Sequence, residues 1–188
     1  MRKTQGLSLI ELIIVVVFIG VLVAVAIPKL LDVAEDAQKT GTEWLAGRLA
    51  TSVISARAQW EAEGRPSVVV AGERYNFVDY DGVELWLTRA QSSDGASTGY
   101  RDGYPIALKK NDISFPNEID AKTCVDLMGN LLQNSPTVVD NLSSDSDARY
   151  LAQADSVNAQ CVYLPQHARS ERQMVYNIAL GTVSVALK

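Results

Sequence analysis

The strongest pattern along the chain is an apolar run near its start. Between positions 7 and 27, 18 of 21 residues are apolar, the exceptions being Ser8, Glu11 and Gly20. As a helix, a run of this length covers about 30 Å, the thickness of a bilayer's hydrocarbon core. Past Pro28 the period stays helical while the polarity changes. Leu30, Val33, Ala34, Ala37, Gly41, Trp44, Leu45, Leu49, Val53, Ala56 and Trp60 recur at spacings of three and four. Lys39, Glu43, Arg48, Arg57, Glu61 and Glu63 lie mostly between them, which predicts an amphipathic helix with one apolar stripe. Gly64-Arg65-Pro66 ends it, because glycine suits a helix C-terminus and proline cannot continue one. Residues 7–63 therefore predict a single helix roughly 85 Å long, bent near Pro28. Its first half needs lipid or other helices, and its second half needs a sheet over its stripe. A coiled-coil stalk is the alternative for that second half.

Residues 64–188 read as strands with one further helix. Two β-rich runs, 74–80 and 83–88, flank Asp81-Gly82, a type I′ hairpin signal. Residues 91–104 are turn-rich and read as a surface loop closing on Gly103-Tyr104-Pro105. Asn117 is expected to cap a helix carrying Ile119, Cys124, Val125, Met128, Leu131 and Leu132 on one side, stopped by Asn134-Ser135-Pro136. The runs 161–164, 174–180 and 182–187, with Gly181 at the last turn, predict an antiparallel meander. The fold class is α+β: a long N-terminal helix laid across an antiparallel sheet.

Composition sharpens this division. The 188 residues are 47% hydrophobic and 21% charged, with a formal net charge of −5, which excludes disorder and disfavours nucleic acid as a partner. His167 is the single histidine, so a His-based triad or a multi-His metal site has too few ligands. Glycine fingerprints for nucleotides and a nucleophile elbow are both absent, and nothing points to an enzyme or a cofactor. Arg2 and Lys3 precede the apolar run and the acidic residues 32–36 follow it, which places the N-terminus in the cytoplasm by the positive-inside rule.

An ordinary secretory signal peptide would explain the basic start and the apolar run, with Ala24-Val25-Ala26 as its cleavage site. Against that reading, the run is long, Pro28 lies two residues past the cut, and Glu11 sits inside it. An unpaired carboxylate there costs about 2.5–3.5 kcal/mol and demands a partner. Gly6-Leu7-Ser8-Leu9-Ile10-Glu11, followed by the Val/Ile/Leu run, resembles the prepilin signature of type IV pilins and their relatives. That resemblance implies a leader of residues 1–6, cut between Gly6 and Leu7 by a membrane peptidase that methylates the new amine. It also implies a transmembrane or filament-core helix over 7–28, an amphipathic half over 29–63 and a globular head over 64–188. Leu7 and Glu11 become the assembly pair and Pro28 the helix bend. Leu7 stands where the family usually has Phe.

Cys124 and Cys161 are 37 positions apart, too far for a CxxC redox or zinc motif. An exported head favours a disulfide between them, two free buried thiols being the other reading. In type IV pilins such a bridge brackets a variable surface loop, and residues 134–147 are polar, acidic and turn-prone. Tyr100–Pro105, with its Gly-Tyr-Pro before the first cysteine, and Cys161-Val162-Tyr163 are similar to the mannose-sensitive haemagglutinin (MSHA) type of pilin. Asp140, Asp145 and Asp147 are weak calcium candidates, lacking the turn glycine and distal Glu of an EF-hand loop. His167, Arg169 and Arg172 form a small basic cluster that reads as a hydrated turn, and Asn141-Leu142-Ser143 matches a sequon of a kind frequent by chance.

Three functions fit. The first is a structural pilin, major or minor, anchored in the inner membrane before assembly and extracellular afterwards. Its partners would be other pilin subunits, the prepilin peptidase and the inner-membrane assembly machinery. The second is a pseudopilin of a type II secretion system, and the third a membrane-tethered binding module that never polymerises. The cysteine pair favours the first over the second, because pseudopilins usually lack that bridge.

Overall fold

The computed structural model describes residues 9–110, 115–116, 118–141, 147–166 and 172–187, without the side chains at 31, 32, 34 and 35. Helix α1 runs Leu9–Ala62, 54 residues, and continues through Pro28. At about 1.5 Å per residue it is about 81 Å long. Its end is built as the glycine signal requires: Gly64 and Arg65 take positive φ, and the Arg65 N–H reaches back to the Trp60 carbonyl at 2.9 Å.

The head holds two sheets rather than one. The first is β1 (Ser67–Val70), β2 (Glu73–Tyr80), β3 (Val83–Leu87) and β4 (Pro105–Leu108), paired in chain order and antiparallel throughout. Asp81 and Gly82 both take positive φ, as the expected type I′ turn demands. The second is β5 (Val138–Val139), β6 (Tyr150–Asp155), β7 (Gln160–Pro165), β8 (Arg172–Asn177) and β9 (Thr182–Leu187). It is an antiparallel meander except at its edge, where β5 pairs with β6 in parallel. The expected strand over 174–180 is shorter at its C-terminal end, because Asn177 closes a turn: it accepts from the Leu180 N–H at 2.9 Å.

Helix α2 (Ala121–Leu131) connects the sheets and buries Cys124, Leu127, Met128 and Leu131. Its cap is Asp120, not Asn117, which lies outside the described residues. The Asp120 carboxylate accepts from the Thr123 N–H at 2.7 Å and the Thr123 hydroxyl at 2.6 Å, satisfying donors that a helix start leaves open.

The stripe on α1 meets the head only from Thr42 onward. Leu45, Leu49, Val53, Ala56 and Trp60 are buried against both sheets, whereas Leu30, Val33, Ala37 and Gly41 stay exposed. Trp44 also points outward, at 63% exposure, one position off the covered face. The arrangement is α+β and consistent with the fold that the resemblance to type IV pilins implies: a long N-terminal helix, antiparallel sheet and a disulfide in the C-terminal region.

Candidate assembly surface and its anchorage

Every described residue of Leu9–Leu30 is exposed, and the segment is long and apolar enough to cross a membrane. Glu11 lies on it, exposed and without an ion pair among the described residues. Gly6 and Leu7, the expected processing site, lie outside the described residues, and Pro28 sits inside the helix.

This bare stem is continuous with a half-helix locked into the head, and the lock has named parts. At the entry to the head, Glu43 pairs with Arg172 of β8 at 3.2 Å. At its far end, the Trp60 indole N–H donates to the Pro66 carbonyl at 3.0 Å. Between them, Arg57 donates to the Tyr104 hydroxyl at 2.5 Å and its guanidinium lies 4.8 Å from the centre of that ring. Burial works against the Arg57 charge, yet the hydrogen bonds to Tyr104 and Glu61 raise its pKa.

The Gly103-Tyr104-Pro105 motif is the centre of this lock. A Cβ on Gly103, at φ +86°, would stand 2.6 Å from the Trp60 ring. The Tyr104 ring fills the space over Gly181 in the β8–β9 turn. The Pro105 carbonyl accepts from the buried Tyr176 hydroxyl of β8 at 2.7 Å. Three consecutive residues thus touch α1, the first sheet and the second. Thr88, itself buried, fixes the motif: its hydroxyl accepts from the Tyr104 N–H at 2.9 Å, and its carbonyl accepts from the Gly103 N–H at the same distance. Burial holds the Tyr176 hydroxyl well above its usual pKa, so it stays a donor. In the sequence these three residues carry only a family resemblance. The sequence signal for their role is a glycine beside a large aromatic, and the positive φ at Gly103 belongs to the fold.

Cys124 of α2 and Cys161 of β7 are joined, both fully buried, with Cα atoms 5.5 Å apart. The Tyr163 hydroxyl donates to the Cys124 carbonyl at 2.8 Å, and burial pushes its pKa up. Among its described residues the bracketed segment contains two strands, β5 and β6. Asp140 and Asp147 are exposed on it, while Asp145 lies outside the described residues. Among the described residues, no group of three or more His, Cys, Asp or Glu is placed to hold a metal. His167 and Arg169 lie outside the described residues, and Arg172 is engaged with Glu43 rather than held out as part of a basic cluster.

No protein-family model matches the chain, and no solved structure matches it. Over 65 residues it is 35% identical to the type IV narrow pilus major component PilA5 of Thermus thermophilus, a match covering 35% of this chain and 54% of that protein. The chain thus spans about half the length of the curated relative it matches. That similarity, the bare apolar stem and the buried disulfide agree with the resemblance carried by the N-terminal residues, and support a relationship to type IV pilins.

Proposed function

We propose that this chain is a structural subunit, major or minor, of an MSHA-like type IV pilus that serves attachment. It enters the inner membrane as a prepilin with its N-terminus in the cytoplasm. A prepilin peptidase removes residues 1–6 after Gly6 and methylates the amine of Leu7. The inner-membrane assembly machinery then moves the stem from lipid into a bundle of other subunits' stems, leaving the heads outside. Residues 7–28 form the filament core, 29–63 carry the head on the same helix, and 64–188 are the head. No catalytic step is involved, and the partner is other pilin subunits.

The observation that carries the reading is the contrast along α1. A fully exposed apolar segment, Leu9–Leu30, continues into a half buried in a disulfide-stapled head. So large an apolar surface requires lipid or protein around it, and a rigid joint to the head lets a helical bundle display the heads in fixed array. Glu11 fits an assembly role better than mere anchorage, because a plain anchor has no use for a carboxylate. The disulfide favours a pilin over a pseudopilin. Intact-mass measurement of the mature chain tests the reading. The expected mass lacks six residues and gains one methyl group; a mature chain beginning at Ile27 would establish an ordinary signal peptide and remove the stem altogether.

A further inference from the structure

Where α1 enters the head, a groove of about 680 Å³ opens between the helix and the second sheet. Gly41, Trp44 and Arg48 form its helix wall; Arg149, Tyr150 and Pro165 stand opposite. The Arg48 guanidinium lies 4.7 Å from the Trp44 ring centre, and neither Arg48 nor Arg149 has an ion pair among the described residues. Among the described residues no carboxylate lines the groove, although the chain carries a net charge of −5. Tryptophan, tyrosine and arginine are the residue types that dominate the energetics of protein interfaces. A Trp left 63% exposed over such a groove is an anchor awaiting a partner surface.

We infer that this groove receives the stem of a second copy of the chain at the level of Asp36. The inference rests on the subunit reading and adds a partner and register to it. Asp36 is exposed on the part of α1 that projects below the head, and makes no ion pair among the described residues. Val33, one turn away, is 62% exposed and supplies the apolar surface that Trp44 lacks. Lys39 also lies one turn from Asp36, on the opposite side along the helix, so the groove's two arginines compete with it for the carboxylate. Gly41 places no side chain between the incoming helix and the groove floor. The contact also fixes an axial offset. Asp36 and Arg48 are twelve residues apart, so two parallel copies joined through them are displaced by about 18 Å. Pairing Glu11 of one copy with the Leu7 amine of another displaces them by only about 6 Å. The two contacts therefore join a given subunit to two different neighbours, and together they build a lattice rather than a single row.

Charge reversal tests this in the full chain, with surface filaments sheared and quantified. Alkylation of the unfolded chain without reductant first checks that each variant has kept its Cys124–Cys161 bridge. Arg48→Glu and Asp36→Arg alone should each lower filament yield about tenfold, the loss expected when one partner of a desolvated charge pair is reversed. The double variant should recover most of it, a result that a merely structural role for either residue does not give. Single variants that assemble at parental yield, or a double variant no better than the singles, overturn the contact. A parental chain that forms no filaments overturns the subunit reading itself and this contact with it, so the two failures are distinguishable.

Discussion

The Tyr104 ring occupies the space that a β-carbon on Gly181 would need. Gly181 turns β8 into β9 at φ +69°, a conformation that L side chains rarely adopt, so the glycine is required twice: by its backbone and by its neighbour. The same ring accepts a hydrogen bond from Arg57 through its hydroxyl. One side chain thereby fastens the stem helix to both sheets, and the head cannot swing on the helix without breaking it.

That arrangement separates three variants by magnitude. Gly181→Ala should destabilise the detergent-solubilised chain by about 2–4 kcal/mol, from overpacking and a strained backbone together. Tyr104→Phe keeps the ring and loses only the hydroxyl, and should cost about 0.5–1.5 kcal/mol. Tyr104→Ala should cost about 3–5 kcal/mol, as deletion of a buried aromatic does. Urea unfolding followed by tryptophan fluorescence reads all three, and equal losses for Tyr104→Phe and Tyr104→Ala would mean that the ring contributes nothing to the joint.

The disulfide should resist chemistry as well as unfolding. Cys124 and Cys161 are bonded to each other, so alkylation of the chain unfolded without reductant should label neither. Changing both to Ser reopens a loop of 37 positions and should lower stability by about 2–5 kcal/mol. Because the bridge ties α2 to β7, the loss should appear first as proteolysis within the bracketed segment; a variant as protease-resistant as the parent contradicts that role.

Asp120 links stability to pH at a defined place. Hydrogen bonds from the Thr123 hydroxyl and backbone N–H hold its carboxylate below the ordinary Asp value. A folded-state pKa that is depressed contributes stability above the unfolded value, and that contribution is lost as pH falls through the folded one. Asp120→Ala should therefore cost about 1 kcal/mol at neutral pH, and the gap between parent and variant should close below the ordinary Asp range. A gap unchanged in acid would assign the effect to something other than the charged cap.

How far the sequence reaches is clearest by comparing elements. Helix α1 was readable because its 3.6-residue period runs for many turns, and the β2–β3 hairpin because Asp-Gly turn chemistry is local. Strand β4 was hidden inside Gly103-Tyr104-Pro105, whose glycine and proline signal a loop, although proline is tolerated as the first residue of a strand. In β6 the inward positions include Ala152 and Ala154, and alanine is a weak strand former. Two-residue β5 has no signal of its own: it is defined by its parallel pairing with β6 and its packing against α2. With these strands unsignalled, the sequence pattern predicts one sheet where the chain folds into two. For the candidate site, Glu11 was legible because a carboxylate in an apolar run is anomalous on its face. Trp44 and Leu45 both fit the stripe by spacing, and periodicity alone does not say that Leu45 faces the head while Trp44 faces out.

Glu11 is the residue that separates a polymer subunit from an anchor. A lone carboxylate in hydrocarbon is costly, and no Lys or Arg lies within the apolar segment to offset it. Cleavage after Gly6 would create a cation close by, the amine of Leu7. Within one chain the two are only four positions apart in the sequence, but the family resemblance points to pairing between copies, with Glu11 attracting the amine of a subunit already in the filament. In a low-dielectric bundle that pairing would compensate both charges, whereas either one alone would cost several kcal/mol. A side chain that served anchorage alone would tolerate, even prefer, an apolar replacement. Glu11→Val should therefore leave membrane insertion intact or improved, by fractionation and resistance to alkaline extraction, while abolishing incorporation into sheared surface filaments. Coexpression with the parental chain makes the comparison strict, because both compete for the same growing end. Parental incorporation of the Glu11→Val chain under those conditions would give the carboxylate another role and overturn the assembly mechanism.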